Sequence, residues 1–159
     1  MNPLSDKAKQ IYLFPRLSNR KHLLCHGCTD GKCDCGKPNC QSPGKHPISR
    51  FFPNGVKSAV SGGNPQLIGW LKAFPNANLA VACGAASSLL VVDIDGPAGL
   101  EAFQALTPDG LGVDSFKENL QAATGSGGRH IFFRHVEGVK NRAKIDKVPI
   151  DARSDDGYV

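Results

Sequence analysis

Leu89-Leu90-Val91-Val92-Asp93-Ile94-Asp95-Gly96 is an apolar run that ends in two aspartates one residue apart. As a strand, its period of two places Asp93 and Asp95 on one face and Leu90, Val92 and Ile94 on the other. Two carboxylates side by side at a strand end repel each other unless a cation shares them. That arrangement commonly holds Mg²⁺ or Mn²⁺ against phosphate oxygens. The simpler alternative is a strand running into a solvated Asp-Gly turn, and the flanking sequence has to discriminate between the two.

Outward from this run the elements are short and mixed. Asn64-Pro65 reads as a helix cap followed by proline at the first helical position, with Leu67, Leu71 and Phe74 on one face and Pro75-Asn76 as the stop. Residues 78–83 and 88–95 read as two strands joined by a Gly-Ala-Ser turn. Residues 97–106 read as a second helix, with Leu100 and Phe103 toward the core. Residues 120–124 and 129–135 flank Gly125-Ser126-Gly127-Gly128 as a hairpin. Residues 148–153 and 158–159 read as a last strand pair that turns through Ser154-Asp155-Asp156-Gly157. This order predicts an α+β fold, a mixed or antiparallel sheet flanked by helices, rather than a series of βαβ units.

At 159 residues, 40% apolar and 21% charged, the chain is long enough for one core and too hydrophobic to be disordered. Its apolar stretches are too short to span a bilayer, and Met1 to Gln10 is polar, which predicts a cytoplasmic protein with no membrane partner. The net charge of +5, with basic residues crowded into the first third and again late in the chain, is compatible with a polyanionic partner without demanding one.

Residues 15–62 are rich in Cys, Gly, Pro, Ser and basic residues and show no sustained period, so a long loop there needs something to hold it. Cys25, Cys28, Cys33, Cys35 and Cys40 lie within this stretch, with His26 and His46 among or just beyond them. Without a secretory signal, such clustering favours zinc over disulfides. Cys33, Cys35, Cys40 and His46 make a Cys₃His set, with Cys28 or Cys25 as the substitutes. Cys83, alone in an apolar strand, reads as a core residue.

The Gly125-Ser126-Gly127-Gly128 turn lacks the Gly-Lys-Ser/Thr ending of a Walker loop, but its glycines allow close approach to an anion. After it, His130, Phe132 and Arg134 share one strand face. Asp151 and Arg153 likewise share a face while Ile150 and Ala152 pack inward; a third carboxylate next to the Asp93/Asp95 pair would complete a two-metal site of the kind used in nucleotidyl transfer. Asp155 and Asp156 read as turn residues, and His22, His26 and His135 take no catalytic role.

Together the segments resemble the N-terminal domain of bifunctional DNA primase/polymerases, in the archaeo-eukaryotic primase superfamily. The matching motifs are Val91-Val92-Asp93-Ile94-Asp95, Ser126-Gly127-Gly128-Arg129-His130, and Ile150-Asp151-Ala152-Arg153 with Gly157-Tyr158-Val159. Upstream, Cys33-Asp34-Cys35-Gly36, Cys40 and Pro43-Gly44-Lys45-His46-Pro47 also match. The resemblance implies that Asp93, Asp95 and Asp151 hold Mg²⁺ or Mn²⁺ and that His130 meets the phosphates of the incoming nucleotide. Ser126, Gly127, Gly128 and Arg129 would assist there, and Arg153 and Lys45 would add positive charge near triphosphate or template.

It further implies a zinc-stabilised N-terminal loop (25–47), single-stranded DNA and nucleoside triphosphates as partners, a replicative helicase as an additional partner, and a setting in phage or plasmid replication. Residues 1–24 would be an extension and 25–159 the domain, which in this family continues further, so the chain reads as C-terminally incomplete. Two rival readings are a non-catalytic zinc-bearing nucleic-acid-binding remnant and a haloacid-dehalogenase-like phosphatase. For the latter, Asp93-Ile94-Asp95-Gly96 would be the nucleophile loop, although Pro97 and the absence of a following βαβ series argue against it.

Overall fold

Lys21–Cys25 forms the first strand, β1, inside the stretch where the sequence shows no period. His22, Leu23, Leu24 and Cys25 are all buried, so the alternation that announces a half-exposed strand is missing. The computed structural model describes residues 19–159, which divide into two units, one ending at Ala82 and the other running Cys83–Val159.

In the first unit, β2 (Cys28–Thr29) and β3 (Lys32–Cys33) form a hairpin. Its turn residues Asp30 and Gly31 both have positive φ, 49° and 76°, the type I′ geometry that matches strand twist. Two further strands, β4 (Val60–Ser61) and β5 (Asn78–Val81), flank β1 in an antiparallel sheet of order β4-β1-β5. Helix α1, Pro65–Ala73, starts as its sequence predicts: the Asn64 side chain accepts the Gln66 N–H at 2.8 Å, and Pro65 opens the helix. Leu67 and Leu71, one turn apart, are fully buried.

Burial pushes the His22 imidazole below its ordinary range, outweighing its 2.9 Å hydrogen bond at the Arg20 carbonyl. The unfolded chain therefore takes up this proton first as pH falls. The histidine's contribution is whole above about pH 6.5 and is lost below it. Urea midpoints measured between pH 7.5 and pH 5 should fall more steeply for the wild type than for His22→Gln.

The second unit holds β6 (Leu89–Ile94), helix α2 (Gly96–Leu106), β7 (Gln121–Ala123), β8 (Arg129–Arg134) and β9 (Ile150–Arg153). The four strands make one antiparallel sheet of order β7-β8-β6-β9. On one face Ile94, Ile131 and Ile150 pack with Phe103 of α2, and Val92, Leu100, Phe116 and Phe133 surround them. Each such buried side chain contributes about 1.5–3 kcal/mol relative to exposure. The architecture of the described residues is α+β with antiparallel sheets and two α-helices, as expected.

The strands flanking the Gly-Ala-Ser turn enter different sheets: β5 stops at Val81, while Gly84 and Leu89 exchange backbone hydrogen bonds and β6 begins a new ladder. Asp155 holds that turn to the second unit by accepting the Ala85 N–H at 2.8 Å. One local expectation is corrected, that of the last strand pair: residues 158–159 do not pair with β9. Its ladder partner is β6, and Ala152 exchanges hydrogen bonds with Arg142 at 2.8 Å on its other side.

Candidate active site and metal centre

Strand register places Asp93, His130 and Asp151 in one row. Asp93 of β6 lies opposite His130 of β8 on one side and opposite Asp151 of β9 on the other. The alternation that turns Ile94, Ile131 and Ile150 toward α2 turns this row to the other face. Within it, His130 Nε2 stands 3.1 Å from Asp93 Oδ1. Arg153, two residues beyond Asp151, puts Nη2 3.3 Å from Asp93 Oδ2 and donates the same nitrogen to Asp151 Oδ2. The remaining Asp151 oxygen accepts the Lys144 backbone N–H at 2.7 Å.

Burial pulls the Asp93 carboxyl upward, but the His130 hydrogen bond and charge, joined by Arg153, outweigh it and hold Asp93 below the ordinary carboxylate range. Cys83 also feels this site. Burial raises its thiol to about 12, with Arg153 pulling down and Asp93 pushing up, so a neutral thiol borders the charged row.

The glycine-rich turn between β7 and β8 is closed by Thr124. Its Oγ1 accepts the Gly128 N–H at 2.9 Å, its carbonyl accepts the Gly127 N–H at 3.0 Å, and its hydroxyl meets Ser126 Oγ at 3.1 Å. The amides of Gly127 and Gly128 are thus engaged within the turn. Gly128 lies directly against the end of β6: a Cβ there would fall on the Ile94 carbonyl oxygen and 2.7 Å from the Gly96 nitrogen. Gly128→Ala should therefore lower stability by about 1–3 kcal/mol in chemical denaturation, since backbone rather than a flexible side chain must give way.

Asp95 caps α2 without a side-chain hydrogen bond and is exposed. Arg129 alternates onto the Ile131 face, away from His130. Lys45 is exposed in the cysteine loop of the first unit.

That loop gathers a second centre. Ligand atoms of Cys33, Cys35, Cys40 and His46 all lie within 4.8 Å of one another. His46 Nε2 is 3.3 Å from both Cys33 Sγ and Cys40 Sγ. Around a tetrahedral zinc, with bonds of about 2.3 Å to sulfur and 2.0 Å to nitrogen, ligand atoms stand ~3.5–3.8 Å apart, so the four fit that ion. A backbone hydrogen bond at Gly44, opposed by desolvation and joined by hydrogen bonds at Cys35 and His46, holds the Cys33 thiol down to about 6. The loop is tied to β1 by hydrogen bonds from His26 N–H to the His46 carbonyl (3.0 Å) and from Ile48 N–H to the Leu24 carbonyl (2.9 Å). Cys25 is buried in β1, its thiol raised to about 12, and Cys28 is exposed; neither joins the four.

Residues 9–159 match the family description "bifunctional DNA primase/polymerase, N-terminal". The chain belongs to that family. No curated protein matches it. Primase/polymerase membership carries a role in DNA replication with DNA and nucleotides as binding partners. No helix among the described residues is long and apolar enough to cross a membrane.

Read as a primase/polymerase, the carboxylate row suits the family's divalent metal in its donor chemistry: two hard oxygen donors from neighbouring strands share one guanidinium. Among the described residues, however, Asp93, Asp95 and Asp151 do not gather into a three-ligand group as the cysteine set does. Arg153 supplies the positive charge shared by Asp93 and Asp151. The phosphatase alternative calls for a parallel, Rossmann-like sheet, and this sheet is antiparallel throughout. Sequence reasoning missed three neighbours of the site: Lys144, which hydrogen-bonds Asp151 through its backbone; Thr124, which locks the turn; and Cys83. None carries a motif, although the Thr124-to-Gly128 spacing is that of a side chain closing a short turn.

Proposed function

We propose that this chain is a metal-dependent DNA primase/polymerase domain that joins nucleotides on a single-stranded DNA template by attack of a 3′-hydroxyl on an α-phosphate. The observation that carries this reading is the row Asp151–Asp93–His130 with Arg153 across it, on the sheet face opposite the α2 core. In this proposal Asp93 and Asp151, with Asp95 at the mouth of α2, hold Mg²⁺ or Mn²⁺. When bound, the metal favours ionisation of the attacking hydroxyl and neutralises charge on the departing pyrophosphate.

The chain's own groups do the rest. His130, anchored on Asp93, presents its imidazole to a triphosphate oxygen and can donate a hydrogen bond there. Arg153 is held between the carboxylates and becomes available to a phosphate when a cation replaces it. Ser126 lies within the turn, while Gly127 serves through its positive φ of 81° and Gly128 through its close approach to β6, rather than through free amides. Arg129, on the other face, is given no phosphate contact, and Lys45 contributes charge toward the strand. Zinc at Cys33, Cys35, Cys40 and His46 fixes the loop that carries Lys45.

The test is primer synthesis on single-stranded DNA with labelled nucleotides and Mn²⁺ or Mg²⁺. Product that requires the metal and vanishes in Asp93→Ala supports the reading. A folded, zinc-loaded chain that binds the strand and makes no product overturns it in favour of a binding module.

A further inference from the structure

The first unit contains a cleft of about 460 Å³ beside the cysteine loop, and nothing in the catalytic reading uses it. Its volume lies in the range of small-ligand sites. Arg50 and Phe74 line it, and they adjoin an aromatic cluster of Phe51 and Trp70 that is not part of the lining. Phe51 stacks on Trp70 at 4.7 Å with the planes 17° apart, and Phe74 meets Phe51 edge-on at 5.3 Å. The Arg50 guanidinium lies 4.7 Å over Phe51 and 4.4 Å over Phe74. Arg50 is exposed, and among the described residues no carboxylate lies within ion-pair distance of it. A guanidinium placed over two aromatic rings, on an exposed residue, is a stacking platform for a base as well as a charge for the adjoining phosphate. Asn76 and Asp34 line the same cleft. Between them they offer a donor and acceptors, which every base edge can meet.

We infer that this cleft receives one unpaired nucleotide of a single-stranded nucleic acid, its base stacked on Arg50 and Phe74 and its edge met by Asn76 and Asp34. The inference rests on the nucleic-acid reading above and adds a contact on the first unit. Stacking without a fixed edge pattern makes the site tolerant of sequence, which suits a strand that must pass through.

Trp70 is the one tryptophan of the chain, and it lies in this stack, so its fluorescence reports on the cleft. Zinc-loaded protein, without Mg²⁺ or Mn²⁺, is titrated with oligo(dT)₁₂, with dTTP and with a 12-base-pair duplex. Quenching by the single strand alone is expected, with the apparent Kd raised about tenfold in Arg50→Ala and several-fold in Asn76→Ala. Arg50→Lys should resemble Arg50→Ala, because an ammonium keeps the charge but cannot stack as a plane. Both positions are exposed, so the variants should fold, and circular dichroism checks this.

Equal quenching by dTTP overturns the strand assignment in favour of a free-nucleotide site. Equal quenching by duplex, or wild-type binding by Arg50→Lys, overturns base stacking. Primer synthesis without any quenching sinks this inference and leaves the function reading standing. Quenching without synthesis does the reverse.

Discussion

Asp93→Asn is expected to lower primer synthesis about 1000-fold, roughly 4 kcal/mol of transition-state stabilisation, while single-strand binding stays within a factor of two or three. Asparagine keeps the shape and one oxygen, which can still face His130, while Arg153 keeps Asp151; what disappears is the anionic ligand at the centre of the row. Arg153→Met makes the complementary experiment. With Arg153 gone, Asp93 and Asp151 face each other across adjacent strands with no guanidinium between them. Removing one partner from such a half-buried group costs about 3 kcal/mol.

The defect should be repaired by Mn²⁺, because a divalent ion can take the place of the guanidinium. Thermal melting of Arg153→Met with and without Mn²⁺ reads this directly. A variant as stable as wild type in metal-free buffer would mean that the carboxylates do not need a shared cation. The acid limb gives the same information. Asp93's depressed pKa contributes stability that is complete above the ordinary carboxylate value of about 4 and is lost as pH falls below it. Arg153→Met should weaken that contribution, leaving His130 as its main source.

How far the sequence reveals this structure depends on whether a residue's role follows from spacing or from what comes against it in three dimensions. The half-buried strand β6, the capped helix α1 and the β7–β8 hairpin follow from period, cap and turn chemistry, and all three form. Strand β1 does not follow, because His22 to Cys25 are buried on both faces and leave no alternation to see. The β2–β3 hairpin turns on Asp30-Gly31, a dipeptide that lies among cysteines whose clustering dominates the reading of that stretch.

Face parity placed Asp93, His130 and Asp151 correctly relative to their own strands. That they stand in one row depends on register, which no local pattern contains. Parity also separates Arg129 from His130, a distinction that treating the motif as a unit conceals. The resemblance implies that Arg153 adds positive charge near triphosphate or template; its resting partners are the two carboxylates, and only the folded geometry reveals that competition. The cysteine set is the converse case. Seven candidate ligands lay in the sequence, and the fold gathers four by burying Cys25 in β1 and turning Cys28 to solvent.

Removing zinc is expected to unravel the cysteine loop between His26 and Ile48 while leaving the sheet of the second unit in place. The freshly purified chain should hold one zinc per molecule. Cys40→Ser and His46→Ala should lose it, and Cys28→Ser should keep it, because Cys28 stands outside the four-ligand group. The loop has little else to hold it: Gly27, Gly44 and Ile48 are buried there, but its other residues are exposed or half-exposed, and its strands are two residues long. Zinc binding of about 10 kcal/mol or more, as in small zinc modules, exceeds what those contacts can supply.

Hydrogen exchange with and without chelator locates the effect. Amides of His26, Asp34, Lys45 and Ile48, whose hydrogen bonds tie the loop together, should lose protection, and those of Ile94 and Ile131 should not. If protection across the loop survives chelation, backbone hydrogen bonding alone holds it, and the four ligands are a thiol cluster rather than a structural metal site. Because the Arg50 cleft takes His26 and Asp34 from this loop, chelation should also abolish the oligo(dT)₁₂ quenching of Trp70, making single-strand capture zinc-dependent even where no nucleotide is joined.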